Sequence, residues 1–227
     1  SERMPRALLR KSAPCPRTRR AFGGNTALPA SPRARTAVVD EALIEKARAL
    51  VSPVASPRLV PAVRNPPALF VLSPPRSGTT LLTAMLSGHP DIFAAAELNL
   101  VGFDRMAGRK AECQGAASVW LDGTIRAVMD IYGITADEAI AKVEEAEAAD
   151  RTVAEFFATL QQAIAPRWLL DKSPAYGLRM ETLRQAESTF DGARYIHLSR
   201  HPYAMVTSFA DHHMDQVYFN HRGFTAR

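Results

Sequence analysis

Three stretches of this chain carry residues whose types and spacing suit the handling of an anionic ligand. In the first, the apolar run Leu69-Phe70-Val71-Leu72 stops at Pro74-Pro75, and the loop Arg76-Ser77-Gly78-Thr79-Thr80 opens straight into an apolar helical pattern at Leu81. A strand, a tight loop and a helix N-terminus in that order gather backbone N–H groups into one concavity, where the helix dipole favours negative charge. Gly78 lets the backbone approach a ligand closely. The planar guanidinium of Arg76 can grip a phosphate or sulfate through two parallel hydrogen bonds. This is not a Walker A loop, because the first Gly of G-x-x-x-x-G-K-[ST] is absent and no Lys follows Gly78. The plain alternative is an ordinary strand-to-helix turn, for which Ser, Gly and Thr serve well in any protein.

The second stretch is Asp171-Lys172-Ser173-Pro174, which follows the apolar Trp168-Leu169-Leu170. The third is Ser199-Arg200-His201-Pro202, which follows Arg194-Tyr195-Ile196-His197-Leu198, with Ser208 two helical turns further on. A guanidinium at a strand exit and a hydroxyl on the helix beside it can share a second phosphate. Read plainly, Arg200 is a surface residue and Ser208 a helix-face hydroxyl. Arg76, Lys172 and Arg200 each follow a predicted strand, and in parallel sheets ligands bind beyond the carboxyl ends of the strands.

The elements that must position these residues alternate between strand and helix, which indicates an α/β fold: a P-loop-like parallel sheet with flanking helices. A helix is expected over Thr79–Ser87, ended by Gly88-His89-Pro90, and Ile92-Phe93-Ala94 reads as a short strand leading to Glu97. Helical spacing then predicts segments at Leu98–Met106 and Val119–Tyr132. Capping boxes at Thr135-Ala-Asp-Glu138 and Thr152-Val-Ala-Glu155 start helices over Ala139–Ala149 and Phe156–Ile164. Together these read as a helical insertion between strands, a cap over the site. Leu178–Ser188 and Pro202–Phe209 are the remaining helices, the latter with Pro in its first turn.

The composition is ordinary for a globular protein of 227 residues, with 47% apolar and 22% charged side chains. The formal charge of +5 is unevenly placed. Residues 1–35 hold nine basic side chains against Glu2 alone, whereas the other 192 carry 19 basic and 22 acidic ones. The basic stretch, rich in Arg, Pro, Ala and Ser, is expected to be a disordered tail. A helix over 38–51 and a proline-punctuated linker complete residues 36–67, and the compact domain is expected over 68–227. A basic tail can touch nucleic acid or anionic lipid, but it reads first as a solvated linker, and no nucleic-acid partner is expected. No apolar run reaches the length of a membrane span, and Cys15 and Cys113 do not make a disulfide framework. The simplest address is cytoplasmic. The six His show no metal-ligand spacing, so no metal is expected. No motif encodes an oligomeric state.

Two anion sites on neighbouring strand ends suit a ligand with two separated anionic groups, and here the sequence resembles the sulfotransferase family that uses 3′-phosphoadenosine 5′-phosphosulfate (PAPS). Pro75-Arg76-Ser77-Gly78-Thr79-Thr80 looks like that family's 5′-phosphosulfate loop, and Arg200 with Ser208 looks like its 3′-phosphate motif. The resemblance runs from Ala68 to the chain's end. It is strongest to the sulfotransferase domains of bacterial polyketide and olefin synthases, in Gly88-His89-Pro90, Glu97-Leu98-Asn99-Leu100, Asp171-Lys172-Ser173-Pro174 and Tyr195 to Tyr203. Tyrosylprotein sulfotransferases come next.

The resemblance implies sulfuryl transfer from PAPS to a hydroxyl, with a β-hydroxyacyl chain on an acyl carrier protein as the implied acceptor. It implies Glu97 as general base and Lys172 as the cation that neutralises the leaving phosphate. Arg76, Ser77, Gly78, Thr79 and Thr80 then hold the phosphosulfate, and Arg200 and Ser208 the 3′-phosphate. His197, His201, His212 and His213 are rival bases, with His197 expected to be buried in mid-strand. The family's domain continues with further helices, so the chain is expected to be truncated at its C-terminus. A P-loop-like phosphotransferase and a truncated nucleotide-binding module without activity remain alternatives.

Overall fold

The computed structural model describes residues 59–214. The tail expected over 1–35 and the helix over 38–51 lie outside the described residues. Four strands, β1 (Ala68–Leu72), β2 (Ile92–Ala96), β3 (Trp168–Lys172) and β4 (Arg194–His197), form one sheet in the order β2-β3-β1-β4. Every pairing is parallel. Parallel neighbours require crossovers, which helices supply. Helix α1 (Thr79–Ser87) joins β1 to β2; α2 (Met106–Glu112), α3 (Asp122–Tyr132), α4 (Ala136–Ala148) and α5 (Val153–Ile164) join β2 to β3; α6 (Met180–Thr189) joins β3 to β4; and α7 (Pro202–Asp211) follows. From β1 the chain steps over β3 to reach β2, whereas β4 joins on the other side of β1. In parallel sheets such a reversal marks where ligands bind, beyond the carboxyl ends of the strands, and the three cation-bearing stretches lie at those ends of β1, β3 and β4.

The inner strands are apolar because helices cover both faces. Phe70 and Val71 of β1 and Leu169 and Leu170 of β3 are buried. The Phe70 ring sits 5.4 Å from Phe190, 5.8 Å from Tyr195 and 6.0 Å from Tyr176. Phe157 of α5 meets Phe190 edge-on at 5.1 Å. The helical insertion therefore shares the core of the sheet rather than standing over it as a separate cap. Both capping boxes form: Thr135 and Thr152 each accept a hydrogen bond from the backbone of the Glu three residues on, whose carboxylate accepts one in return.

Three expectations need correction. Residues Leu98–Met106 are not a helix; the chain runs irregularly from Glu97 to Arg105, and α2 begins only at Met106. Leu98, Leu100, Val101 and Phe103 are buried at a spacing that mimics helical periodicity. Glu97 and Asn99, however, adopt left-handed backbone, at φ 59° and 49°, which an α-helix does not allow. His197 is exposed rather than buried, because among the described residues β4 lies at the sheet edge and pairs only with β1. The segment expected as one helix over 119–132 is also divided, into a 3₁₀ turn over Gly115–Trp120 and α3.

Candidate active site

The loop after β1 owes its shape to two left-handed residues, Arg76 at φ 65° and Gly78 at φ 93°. Gly78 is the residue capping α1, and no side chain caps that helix. A Cβ at Gly78 would meet nothing within 4 Å. Glycine is required there by the backbone conformation, and the space in front of it is open. A non-glycine residue in the left-handed region costs about 1–2 kcal/mol, and such strain persists where the surroundings over-determine it. For Arg76 those surroundings are α7 and the approach to it. Arg76 Nε donates to Ser208 Oγ at 3.2 Å, and Arg200 Nη1 donates to the Arg76 carbonyl at 2.9 Å. Ser77, buried, donates to the sulfur of Met205 at 3.1 Å. Thr79 is buried at the start of α1 and Thr80 is exposed. Arg76, Arg200 and Ser208, well separated in sequence, thus meet in one place.

At the carboxyl end of the next strand, Lys172 Nζ lies 2.5 Å from Glu97 Oε1. The lysine side chain is 6% exposed and the glutamate 49%, so the pair presents its carboxylate to solvent and keeps its cation inside. Pairing of Ala96 with Lys172 brings the two strands level, and Glu97 N–H donates to the Lys172 carbonyl at 2.9 Å. Around the pair lies a network that the motifs do not spell out. Asp171 is fully buried, and its carboxylate accepts from Leu98 N–H, Ser173 Oγ and Tyr176 Oη. Burial pushes the Asp171 carboxyl up to about 6, against the lowering effect of those hydrogen bonds and of Lys172. Burial and the neighbouring Asp171 likewise raise the Tyr176 phenol far above its usual range, so it stays protonated and donates.

Of the rival bases, His201 caps α7 and is exposed. His212 Nδ1 lies 2.8 Å from the Ser208 carbonyl, and His213 is exposed. Among the described residues no group of three His, Cys, Asp or Glu could hold a metal ion, and no helix is long and apolar enough to cross a membrane. Tyr176 and Arg109 carry no sequence mark, since each acts through backbone groups of the segment after β2, 75 and 76 positions away for Tyr176 and 10 and 11 for Arg109.

A parallel sheet whose first strand passes through a left-handed loop into a helix, with cations gathered at the strand ends, defines the P-loop-like α/β class. Within it, this chain belongs to the sulfotransferase family, whose model matches residues 67–225. The sulfotransferase domain from the Synechococcus PCC 7002 olefin synthase is 42% identical, with a TM-score of 0.66 over 70% of this chain and 58% of that one. The sulfotransferase domain from the curacin biosynthetic pathway is 32% identical, with a TM-score of 0.62 over 69% and 60%. Nodulation protein NoeE of Sinorhizobium fredii is 33% identical over 143 residues, which is 61% of this chain and 30% of that protein. The chain thus spans about three fifths of the solved domains and under a third of the curated relative.

Proposed function

We propose that this chain transfers a sulfuryl group from PAPS to the hydroxyl of an acceptor. The observation that carries the reading is the meeting of Arg200 and Ser208 with Arg76 at the loop after β1, with the Glu97–Lys172 ion pair at the end of the neighbouring strand. Arg76 and the backbone from Ser77 to Thr80 hold the 5′-phosphosulfate at the helix N-terminus. Arg200 and Ser208 hold the 3′-phosphate, Arg200 turning from the Arg76 carbonyl to do so.

The acceptor oxygen attacks sulfur in line. As the new S–O bond forms and the bond to the bridging phosphate oxygen breaks, the acceptor proton passes to Glu97, and negative charge grows on the departing phosphate. Lys172, already desolvated and fixed, neutralises that charge where a positioned cation is worth most. The products are a sulfated acceptor, adenosine 3′,5′-bisphosphate and a protonated Glu97, from which solvent takes the proton. The partly exposed carboxylate leaves room for an acceptor to enter from the solvent side. Likeness to a domain of an olefin synthase supports a β-hydroxyacyl chain on an acyl carrier protein as that acceptor.

Titration calorimetry with adenosine 3′,5′-bisphosphate tests the donor site. Wild type is expected to bind, Arg200→Ala to lose detectable binding, and Arg76→Ala to weaken it about tenfold, the scale of one charge-assisted contact. Glu97→Gln should bind as wild type yet transfer label from PAPS at least about a hundredfold more slowly, the usual range for a general base. Binding of ATP in place of the bisphosphate would overturn the assignment in favour of a phosphotransferase. Offering a hydroxyacyl carrier protein, a tyrosine peptide and a simple alcohol in parallel identifies the acceptor class.

A further inference from the structure

The loop that carries Glu97 has no secondary structure of its own, yet five of its backbone N–H groups in succession have named acceptors. Glu97 donates to the Lys172 carbonyl at 2.9 Å, Leu98 to Asp171 Oδ1 at 3.2 Å and Asn99 to Ser173 Oγ at 3.0 Å. Leu100 and Val101 both donate to Tyr176 Oη, at 2.9 and 3.2 Å. The four acceptors belong to one stretch, the end of β3 and the 3₁₀ turn after it. On the carbonyl side, Arg109 from α2 is fully buried and donates to the oxygens of Leu98 and Asn99 at 3.1 and 3.2 Å. Thr124 from α3 adds a second bond to the Leu98 oxygen at 2.9 Å. A buried carboxylate and a buried guanidinium therefore both bond the backbone of one short loop, the first at an N–H and the second at two carbonyls.

We propose that Asp171 and Tyr176 are positioning residues that hold the Glu97–Val101 loop in the left-handed conformation delivering the Glu97 carboxylate to Lys172. The proposal rests on the reading of Glu97 as the proton acceptor. Left-handed backbone at Glu97 and Asn99 is unfavourable by itself, and within the loop one hydrogen bond, from Asn99 Nδ2 to the Glu97 carbonyl at 3.1 Å, sets against it. Further compensation comes from acceptors that become unsatisfied, at a buried site, if the loop relaxes. Tyr176 is the key of the arrangement, since its oxygen accepts twice from the loop and donates to Asp171 Oδ2 at 2.6 Å. It thereby ties the far end of the loop to the near end. Lys172 lies next to Asp171 in the chain, so one strand end supplies both the cation that meets Glu97 and the carboxylate that places it.

Tyr176→Phe keeps the ring in the core and deletes only the hydroxyl; Ser173→Ala, which removes the Asn99 acceptor, is the milder companion. Hydrogen exchange in the full chain reads the clamp without any need for turnover. In Tyr176→Phe the amides of Leu100 and Val101 are expected to exchange at least about tenfold faster, while those of β1 are unchanged. Unaltered loop exchange, or an equal rise in β1, overturns the clamp. For function, Tyr176→Phe is expected to lower kcat for sulfuryl transfer about ten- to a hundredfold, with the PAPS KM held within about twofold. In a Glu97→Gln background it should cost nothing more, because groups that act as one unit are not additive. An equal loss in both backgrounds gives Tyr176 a role independent of Glu97 and overturns the positioning proposal. Full turnover by Glu97→Gln alone instead refutes the base assignment and leaves the exchange result to decide the clamp.

Discussion

Asp171 shows how a single residue can be costly and still indispensable. Its carboxyl titrates at about 6 in the folded protein against a usual 3.8, because loss of water outweighs three hydrogen bonds and the nearby Lys172. The folded state therefore binds this proton more tightly than the unfolded chain does. Between about pH 4 and 6 the folded state carries the extra proton, so this group's contribution to stability falls as pH rises through that window. The whole effect is at most about 3 kcal/mol, from a shift of roughly two units. Asp171→Asn removes the titration while keeping an oxygen for the Leu98 amide. Denaturant melts at pH 4, 5, 6 and 7 should show the variant gaining on wild type as pH rises to 6, then running parallel to it. Parallel curves throughout would mean that Asp171 is not desolvated as described. Lys172 and Arg76 were legible as cations at strand ends, but no residue-level pattern announces that Asp171 and Tyr176 serve a loop 73 to 76 positions away.

At the scale of elements, local chemistry decided the starts of α4 and α5. The box at α5 is complete: Thr152 N–H donates to Glu155 Oε2 at 2.8 Å, and Glu155 N–H donates to Thr152 Oγ1 at 3.1 Å. Hydrogen bonds from Thr152 hold the Glu155 carboxyl below its usual range. The same point is tied to the site-bearing segment, because Val153 N–H donates to the Asp104 carbonyl and Met106 N–H to that of Arg151. Thr152→Ala should cost about 1 kcal/mol, lowering the melting temperature by about 2–4 °C in a thermal scan. No shift would show that the tertiary ties alone set the start of α5. The segment Leu98–Met106 is the opposite case. Its apolar spacing satisfied a helical template, yet three-dimensional hydrogen bonding claimed its N–H groups first.

Over the whole molecule, the sheet and the inserted helices unfold together if they share one core. Phe70 lies at its centre, 1% exposed and in ring contact with residues from the turn after β3, the end of α6 and β4. Phe70→Ala should destabilise the protein by about 3–5 kcal/mol. Trp120 lies in the insertion and Trp168 on β3, and they are the chain's 2 tryptophans. Single-tryptophan versions should therefore report coincident transitions by fluorescence. Separate midpoints would show two cores where the ring contacts indicate one.

The sequence by itself determined the alternation of strands and helices, the tight strand-to-helix loop around Gly78, the two capping boxes and the cations at three strand exits. These features depend on neighbours within a few positions, where hydrophobic period, left-handed glycine and cap chemistry act directly. Only the tertiary structure decided that Arg76 meets Ser208, that Glu97 meets Lys172, and that the loop bearing Glu97 is clamped rather than helical. The reason is physical. A backbone N–H that cannot find water takes whatever acceptor the fold brings within reach, and here the acceptors come from a strand end and the turn after it, more than seventy positions on.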